Sequence, residues 1–129
     1  MTMQTNATRR KPECKLAFHL ERRPHFLRVA IGGEASFDQA EVISAQLLRI
    51  PLGAYSLVVL DLAGLTFLSS LAMGALVAYR RDLRRRGVEL RLANVQAQVW
   101  SALESAGLGT LFEPIDLQEP TQPPTGAGP

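Results

Sequence analysis

Two adjacent hydroxyls, Ser69 and Ser70, stand between a turn-like stretch, Asp61-Leu-Ala-Gly-Leu-Thr66, and an apolar run, Leu71-Ala-Met-Gly-Ala-Leu-Val77. If the apolar run is helical, both serines lie at its N-terminus. Unpaired backbone N–H groups and the helix dipole favour negative charge there. Two chemistries suit that position. A serine can cap the helix, which contributes roughly 1 kcal/mol. It can also accept a phosphate, which adds about −1.5 to −2 charges. Local physics alone favours the cap.

Other reactive side chains offer less. Cys14, His19 and His25 are close in sequence, but Cys14 and His19 point to opposite faces of a strand. They read as a half-buried thiol and two surface imidazoles, so no metal site is expected. Ser70 has no evident base or orienting group, and no G-x-S-x-G elbow is present, so no catalytic residues are assigned. Asp38 and Asp61 are isolated, one as a helix cap and one at a strand end, so paired carboxylates for acid–base work are lacking. Gly107-Leu-Gly109 follows a helix rather than opening one, so a standard phosphate-binding loop is absent and no cofactor is expected. The arginines from Arg80 to Arg86 have no interleaved aromatics for stacking on bases. They read as a solvated helix end, and no direct contact with nucleic acid is expected.

The elements that position the serines follow from hydrophobic spacing. Cys14 to Glu21 reads as a strand with Leu16, Phe18 and Leu20 on one face. Phe26 to Ile31 is a second strand, ended by Gly32-Gly33, and the two form a hairpin. Asp38 and Glu41 have the spacing of a capping box. Ile43, Leu47 and Ile50 then recur at helical intervals, beside Ala40 and Leu48, until Pro51 and Gly53 stop the helix. Leu57 to Leu60 is continuously apolar, as in a parallel strand buried on both faces. The second helix runs from about Ser70 to Arg86, with Met73, Leu76, Val77 and Leu83 inward and Gly87 just past its end. Val88 to Leu92 alternates as a strand. Asn94 caps a third helix, with Val99, Ala102, Leu103 and Ala106 inward and Gly107 after it. Leu108 to Ile115 is a closing turn with a short last strand or helix. The order ββαβαβα predicts one α/β domain with a mixed, mainly parallel sheet and right-handed crossovers.

Size and composition agree with a single globular unit. The chain has 129 residues, 47% of them hydrophobic, and 14 basic against 12 acidic side chains. A net charge of +2 gives little ground for a nucleic-acid partner. One cysteine excludes an internal disulfide and suits the cytoplasm. The first residues have no apolar signal core. Asp61, Gly64, Thr66, Ser69 and Ser70 interrupt the longest apolar run, so no membrane insertion is expected. Residues 1–12 read as a flexible tail, 13–117 as the domain and 118–129 as a disordered Pro/Gly-rich tail.

The whole segment Val58-Val-Leu-Asp-Leu-Ala-Gly-Leu-Thr-Phe-Leu-Ser-Ser-Leu-Ala-Met-Gly-Ala-Leu-Val77 resembles the signature of STAS domains, the family of bacterial anti-sigma factor antagonists. That pattern is a buried strand ending in Asp-Leu/Phe, then Ser/Ala-Gly-Val-Thr-Phe, then Ile-Asp-Ser-Ser-Gly-Leu-Gly opening a helix. Gly33-Glu-Ala-Ser-Phe37, Val88-Glu-Leu-Arg-Leu-Ala-Asn94 and Leu108-Gly-Thr-Leu-Phe112 extend the likeness over residues 14–117. The resemblance implies a non-enzymatic regulator that binds an anti-sigma factor acting as a serine kinase, releasing the sigma factor. Phosphorylation by that kinase ends the interaction, and a phosphatase restores it.

Aligned on Phe67 and Gly74, the phosphoacceptor falls on Ser70, with Ser69 as the alternative hydroxyl. The partner-binding set implied by the resemblance is Asp61, Thr66, Ser69, Ser70, Leu71 and Met73, on a monomer or weak dimer. Three positions depart from the motif: Ser69 replaces Asp, Leu71 replaces Ser and Ala72 replaces Gly. Those departures support an alternative, a non-phosphorylated STAS module of a transporter, lipid-trafficking or stress-sensing complex. Reported nucleotide binding in some STAS domains gives a third reading, an enzyme or nucleotide-binding protein.

Overall fold

Alternating apolar residues build the sheet and apolar stripes build the helices that cover it. The computed structural model describes residues 16–115 and Leu117. Cys14 and the expected tails lie outside the described residues. The strands are β1 (Leu16–Arg22), β2 (Leu27–Ala35), β3 (Leu57–Asp61), β4 (Leu65–Leu68), β5 (Glu89–Ala93) and β6 (Glu113–Pro114). The helices are α1 (Ala40–Leu48), α2 (Ser70–Arg85) and α3 (Ala97–Ser105). The sheet order is β1-β2-β3-β5-β6, with β4 paired to the far end of β2. Only β1 is antiparallel to its neighbour. The expected α/β class and mixed, mainly parallel sheet are present, with β4 added, and the closing segment forms a short last strand, β6.

Register decides where the core lies. Leu27 and Val29 face Val58 and Leu60 across β2 and β3, and these face Leu90 and Leu92 of β5. This apolar row joins Ile43 and Leu47 of α1, Met73, Leu76 and Leu83 of α2, and Val99 and Leu103 of α3 in one buried cluster. Helix α2 contributes most, burying Ala72, Met73, Ala75, Leu76, Tyr79 and Leu83. Each large side chain so buried contributes roughly 1.5–3 kcal/mol. Truncating Leu76, 1% exposed, to Ala would cost about 2–5 kcal/mol. The alternate positions hold Arg28, Asp61 and Arg91 together with Ala30, Val59 and Ala93, so the second sheet face is mixed, and β3 is buried on both faces at Val58, Val59, Leu60 and Asp61.

Four local expectations are corrected. Strand β2 does not stop at Gly32-Gly33. It continues to Ala35 through a bulge between Gly33 and Glu34. Gly33 has φ 108, and Gly32 lies so close to Gly64 that a Cβ on Gly64 would sit 3.3 Å from the Gly32 Cα. The glycines therefore let two backbones meet rather than end a strand. The segment after Asp61 is a four-residue turn, Leu62 to Leu65, that leads into β4. Asp38 does not cap α1: it lies inside a 3-10 turn, Phe37–Gln39, and accepts from the Ser36 hydroxyl at 2.7 Å. Asn94 does not cap α3. The N-cap position is Gln96, and Asn94 has another task described below.

Helix faces otherwise follow the spacing, with two exceptions at helix ends. Leu48 on α1 is exposed and Ala106 is the exposed C-cap of α3. Gly87 ends α2 with φ 77, the left-handed conformation expected at that position. Among the described residues no helix is long and apolar enough to cross a membrane.

Candidate functional site

The site is the N-terminal end of α2, where β4 delivers the chain to the two serines. Ser69 is extended (φ −75, ψ 163) and its side chain accepts from the Ala72 N–H at 3.2 Å. Its own N–H donates to the Ala35 carbonyl at 2.8 Å, and its carbonyl accepts from Met73 at 2.9 Å. Ser69 is 3% exposed. It is therefore the N-cap, held by the end of β2. Ser70 is the first helical residue and is exposed. The N–H groups of Ser70 and Leu71 have no acceptor within the helix, because they belong to its first turn. An anion on the Ser70 side chain would meet these donors and the positive end of the helix dipole.

The approach to the serines is anchored from several elements. Leu62 N–H donates to Ala93 O at 2.9 Å, and Gly33 N–H donates to Gly64 O at 2.9 Å. Gln96 donates its side-chain amide to Ala63 O at 2.6 Å. Thr66 donates its hydroxyl to Gly33 O at 3.2 Å. The turn is thus tied to β2, β5 and the start of α3, and Ser70 stands on a rigid platform.

Asp61 is the hub of that platform, and it is not isolated. Its Oδ2 accepts from Arg28 Nε at 3.0 Å and Nη2 at 2.6 Å. Its Oδ1 accepts from the Ala63 N–H at 3.0 Å and from Asn94 Nδ2 at 3.0 Å. Burial pushes the Asp61 carboxyl up. The hydrogen bonds from Asn94, Ala63 and Arg28 outweigh burial and hold it below its ordinary value. The bond to Asp61 raises the Arg28 guanidinium in turn, against burial. Arg28 also donates to Glu21 at 3.0 Å, so an ionic network joins β1, β2 and β3, and Asn94, just past the end of β5, adds a neutral donor to it.

The structure sorts the six residues of the expected partner-binding set. Thr66, Ser70 and Leu71 are exposed, while Asp61, Ser69 and Met73 are buried. Two residues outside that set join the surface. Phe67, 48% exposed, pairs in register with Glu34. Phe37, 61% exposed, belongs to the 3-10 turn that packs on α2. With Leu71, 57% exposed, they place three large apolar side chains at this end of the sheet. Their signal in sequence is weak, because Leu65-Thr-Phe-Leu68 buries its ends and exposes its middle instead of alternating.

The described residues hold no group of three or more metal-ligating side chains. His19 lies on β1, and neither it nor His25 is hydrogen-bonded to Ser70.

A family model described as the STAS domain matches residues 17–121. No curated sequence matches significantly. Among solved structures, the anti-sigma factor antagonist SpoIIAA in its unphosphorylated form is 22% identical, with TM-score 0.63 over 81% of this chain and 93% of that one. An anti-sigma factor antagonist from Mycobacterium paratuberculosis is 17% identical, with TM-score 0.68 over 77% of this chain and 84% of that one. The murine anion transporter Slc26a9 is 19% identical, with TM-score 0.61 over 67% of this chain and 14% of that one. At these identities the likeness is one of fold.

Proposed function

The chain belongs to the STAS-domain family, and from that premise we propose that it is a non-enzymatic, partner-switching regulator whose switch is phosphorylation of Ser70. The observation that carries this reading is the division of labour between the serines. Ser69 caps the helix and is buried, so Ser70 is left exposed with no structural duty.

The partner we propose is an anti-sigma factor that is also a serine kinase, docking on Thr66, Phe67, Ser70, Leu71 and Phe37. The apolar rim supplies the area removed from water. Phosphorylation places about two negative charges in the middle of it. The helix N-terminus accommodates that charge in the free protein, whereas an apolar interface closed over it would have to desolvate it. Phosphate therefore releases the partner without unfolding the domain, and a phosphatase resets the switch. Ser69 stands where the motif has Asp. Both residue types cap well, so this departure keeps the structural role of that position.

Capture of the full chain from its native cell, addition of ATP to the eluate and phosphopeptide mapping tests the reading. We expect one phosphate on Ser70 and none in Ser70→Ala. Ser70→Asp should keep its circular dichroism spectrum and bind the captured kinase about tenfold or more weakly, as for a charge forced into an apolar contact. An unlabelled Ser70, or unchanged binding by Ser70→Asp, would overturn it.

A second reading, a constitutive STAS module of a membrane or stress-sensing complex, is favoured by Leu71 and Ala72 in place of Ser and Gly. It would be supported by co-purification with a permease and by no ATP-dependent modification.

A further inference from the structure

The other end of α2 carries a feature that a phosphoserine switch does not use. Val77, Arg80, Arg81, Arg84 and Arg85 fall at positions i, i+3, i+4, i+7 and i+8, so they form one stripe along the helix. Together with Leu111, from the loop before β6, they line a groove of about 410 Å³. A second groove of about 400 Å³ adjoins it and again includes Arg80, Arg84 and Leu111. The two make one trough between the C-terminal half of α2 and the start of β5.

Positive charge outweighs negative in this trough, where four arginines stand against two glutamates, Glu89 and Glu113. Asp82 pairs with Arg86 at 3.1 Å. Glu89 and Glu113, at the trough's far side, pair with Arg91 at 2.8 and 3.3 Å. Among the described residues, Arg80, Arg81, Arg84 and Arg85 have no ion pair. Arg80 and Arg84, and Arg81 and Arg85, are like charges at i, i+4 and repel each other. The helix dipole offsets part of that repulsion, but only within the last turn. An anionic ligand would offset the rest.

We propose that this trough is a second docking surface, for an acidic segment of a partner protein that carries an apolar side chain between its carboxylates. The guanidinium forks match carboxylates bidentately. Val77 and Leu111, half-buried against the core, form an apolar floor for the side chain between them. A flat bilayer does not reach a recessed floor. A long polyanion meets a chain whose net charge is only +2, and no aromatic side chain lines the trough to stack a base. Arg81 lies roughly 16 Å along the helix axis from Ser70 at 1.5 Å per residue. That is about twice the Debye length at physiological ionic strength. The surface therefore binds whether or not Ser70 carries a phosphate, and the domain can hold one partner constantly while switching another.

Fluorescence anisotropy with the full chain tests this. The probe is a labelled synthetic peptide with a Glu-Glu-Leu-Glu-Glu core, alongside versions with the Leu replaced by Ser or every Glu replaced by Gln. A labelled DNA duplex and phosphatidylglycerol vesicles run in parallel. The acidic peptide should bind, about tenfold or more weakly to Arg81→Glu/Arg84→Glu and at high salt. The Ser version should bind more weakly and the Gln version not at all. Arg49→Glu, the same charge change at the end of α1, and Ser70→Asp should leave binding within about twofold. These variants are exposed, and circular dichroism checks their fold. Failure of the acidic peptide to bind, or peptide binding that the double variant does not weaken, overturns the proposal. So does a duplex or vesicle bound through these arginines in place of the peptide. Ser70 labelling is read separately, so either proposal can fail without the other.

Discussion

Asn94 donates its side-chain amide to Asp61 Oδ1 at 3.0 Å from a left-handed backbone, φ 56. It is the one non-glycine residue with positive φ among those described. Asn is among the few residue types that tolerate this conformation. One side chain thus closes the end of β5 and supplies a donor to the carboxylate beneath the serine platform.

Replacing Asn94 separates those two roles. Asn94→Gly loses only the hydrogen bond and should cost about 1 kcal/mol. Asn94→Ala loses the bond and adds backbone strain, for about 2–3 kcal/mol in all. Urea unfolding of the three proteins should rank wild type above Gly above Ala; an Ala variant as stable as Gly would mean that the strained backbone relaxes.

Acid should weaken the domain through Asp61. Its folded-state pKa lies below the ordinary 3.8, so on acidification the unfolded chain takes up the proton first. The carboxylate's contribution is complete above about pH 5 and is lost as pH falls through 3.8 towards the folded-state value. Stability of the wild type should fall between about pH 5 and pH 3. In Asp61→Asn the domain starts weaker, because Arg28 loses its buried partner and keeps only Glu21 at 3.0 Å, and the same pH step should change stability less. Equal slopes for the two proteins would rule out Asp61 as the source.

Ser69 and Ser70 should part company in stability measurements. Ser69→Ala should cost about 1 kcal/mol, the usual worth of a cap, and lower Tm by about 4–8 °C for a domain of this size. Ser69→Asp should stay within a few tenths of a kcal/mol of wild type, since Asp caps equally well and suits the helix dipole. Ser70→Ala should change stability by no more than about 0.5 kcal/mol. A Ser70→Ala variant as damaged as Ser69→Ala would contradict the assignment of the cap.

Tyr79 is 5% exposed, and its hydroxyl has no hydrogen-bond partner among the described residues. Burial pushes its phenol up to about 12. Tyr79→Phe should therefore hold or raise Tm, because an unsatisfied buried hydroxyl costs about 1–3 kcal/mol and the ring's packing is kept. A clear loss of stability would reveal a partner for the hydroxyl.

Much of the fold is legible in the sequence because its signals are local. The apolar run of β3, the alternation of β5 and the stripe of Met73, Leu76 and Leu83 each depend on a periodicity within a few residues. Strand β4 is hidden because four residues are too short for a period and two of them are exposed. The continuation of β2 is hidden because Gly32-Gly33 looks like a stop until Gly64 packs against it.

The sequence by itself determined that two hydroxyls open an apolar helix after a buried strand. Only the tertiary structure decided which of them is free. Ser69 becomes the cap because the end of β2 accepts its N–H at Ala35, and that contact fixes the extended backbone from which its side chain can reach Ala72. Asp61 looks solitary in sequence because its partners Arg28 and Asn94 each lie 33 residues away. The register of β2, β3 and β5 brings them together. Periodicity is written in neighbouring residues, whereas hydrogen-bond partners across a sheet exist only once the strands are aligned.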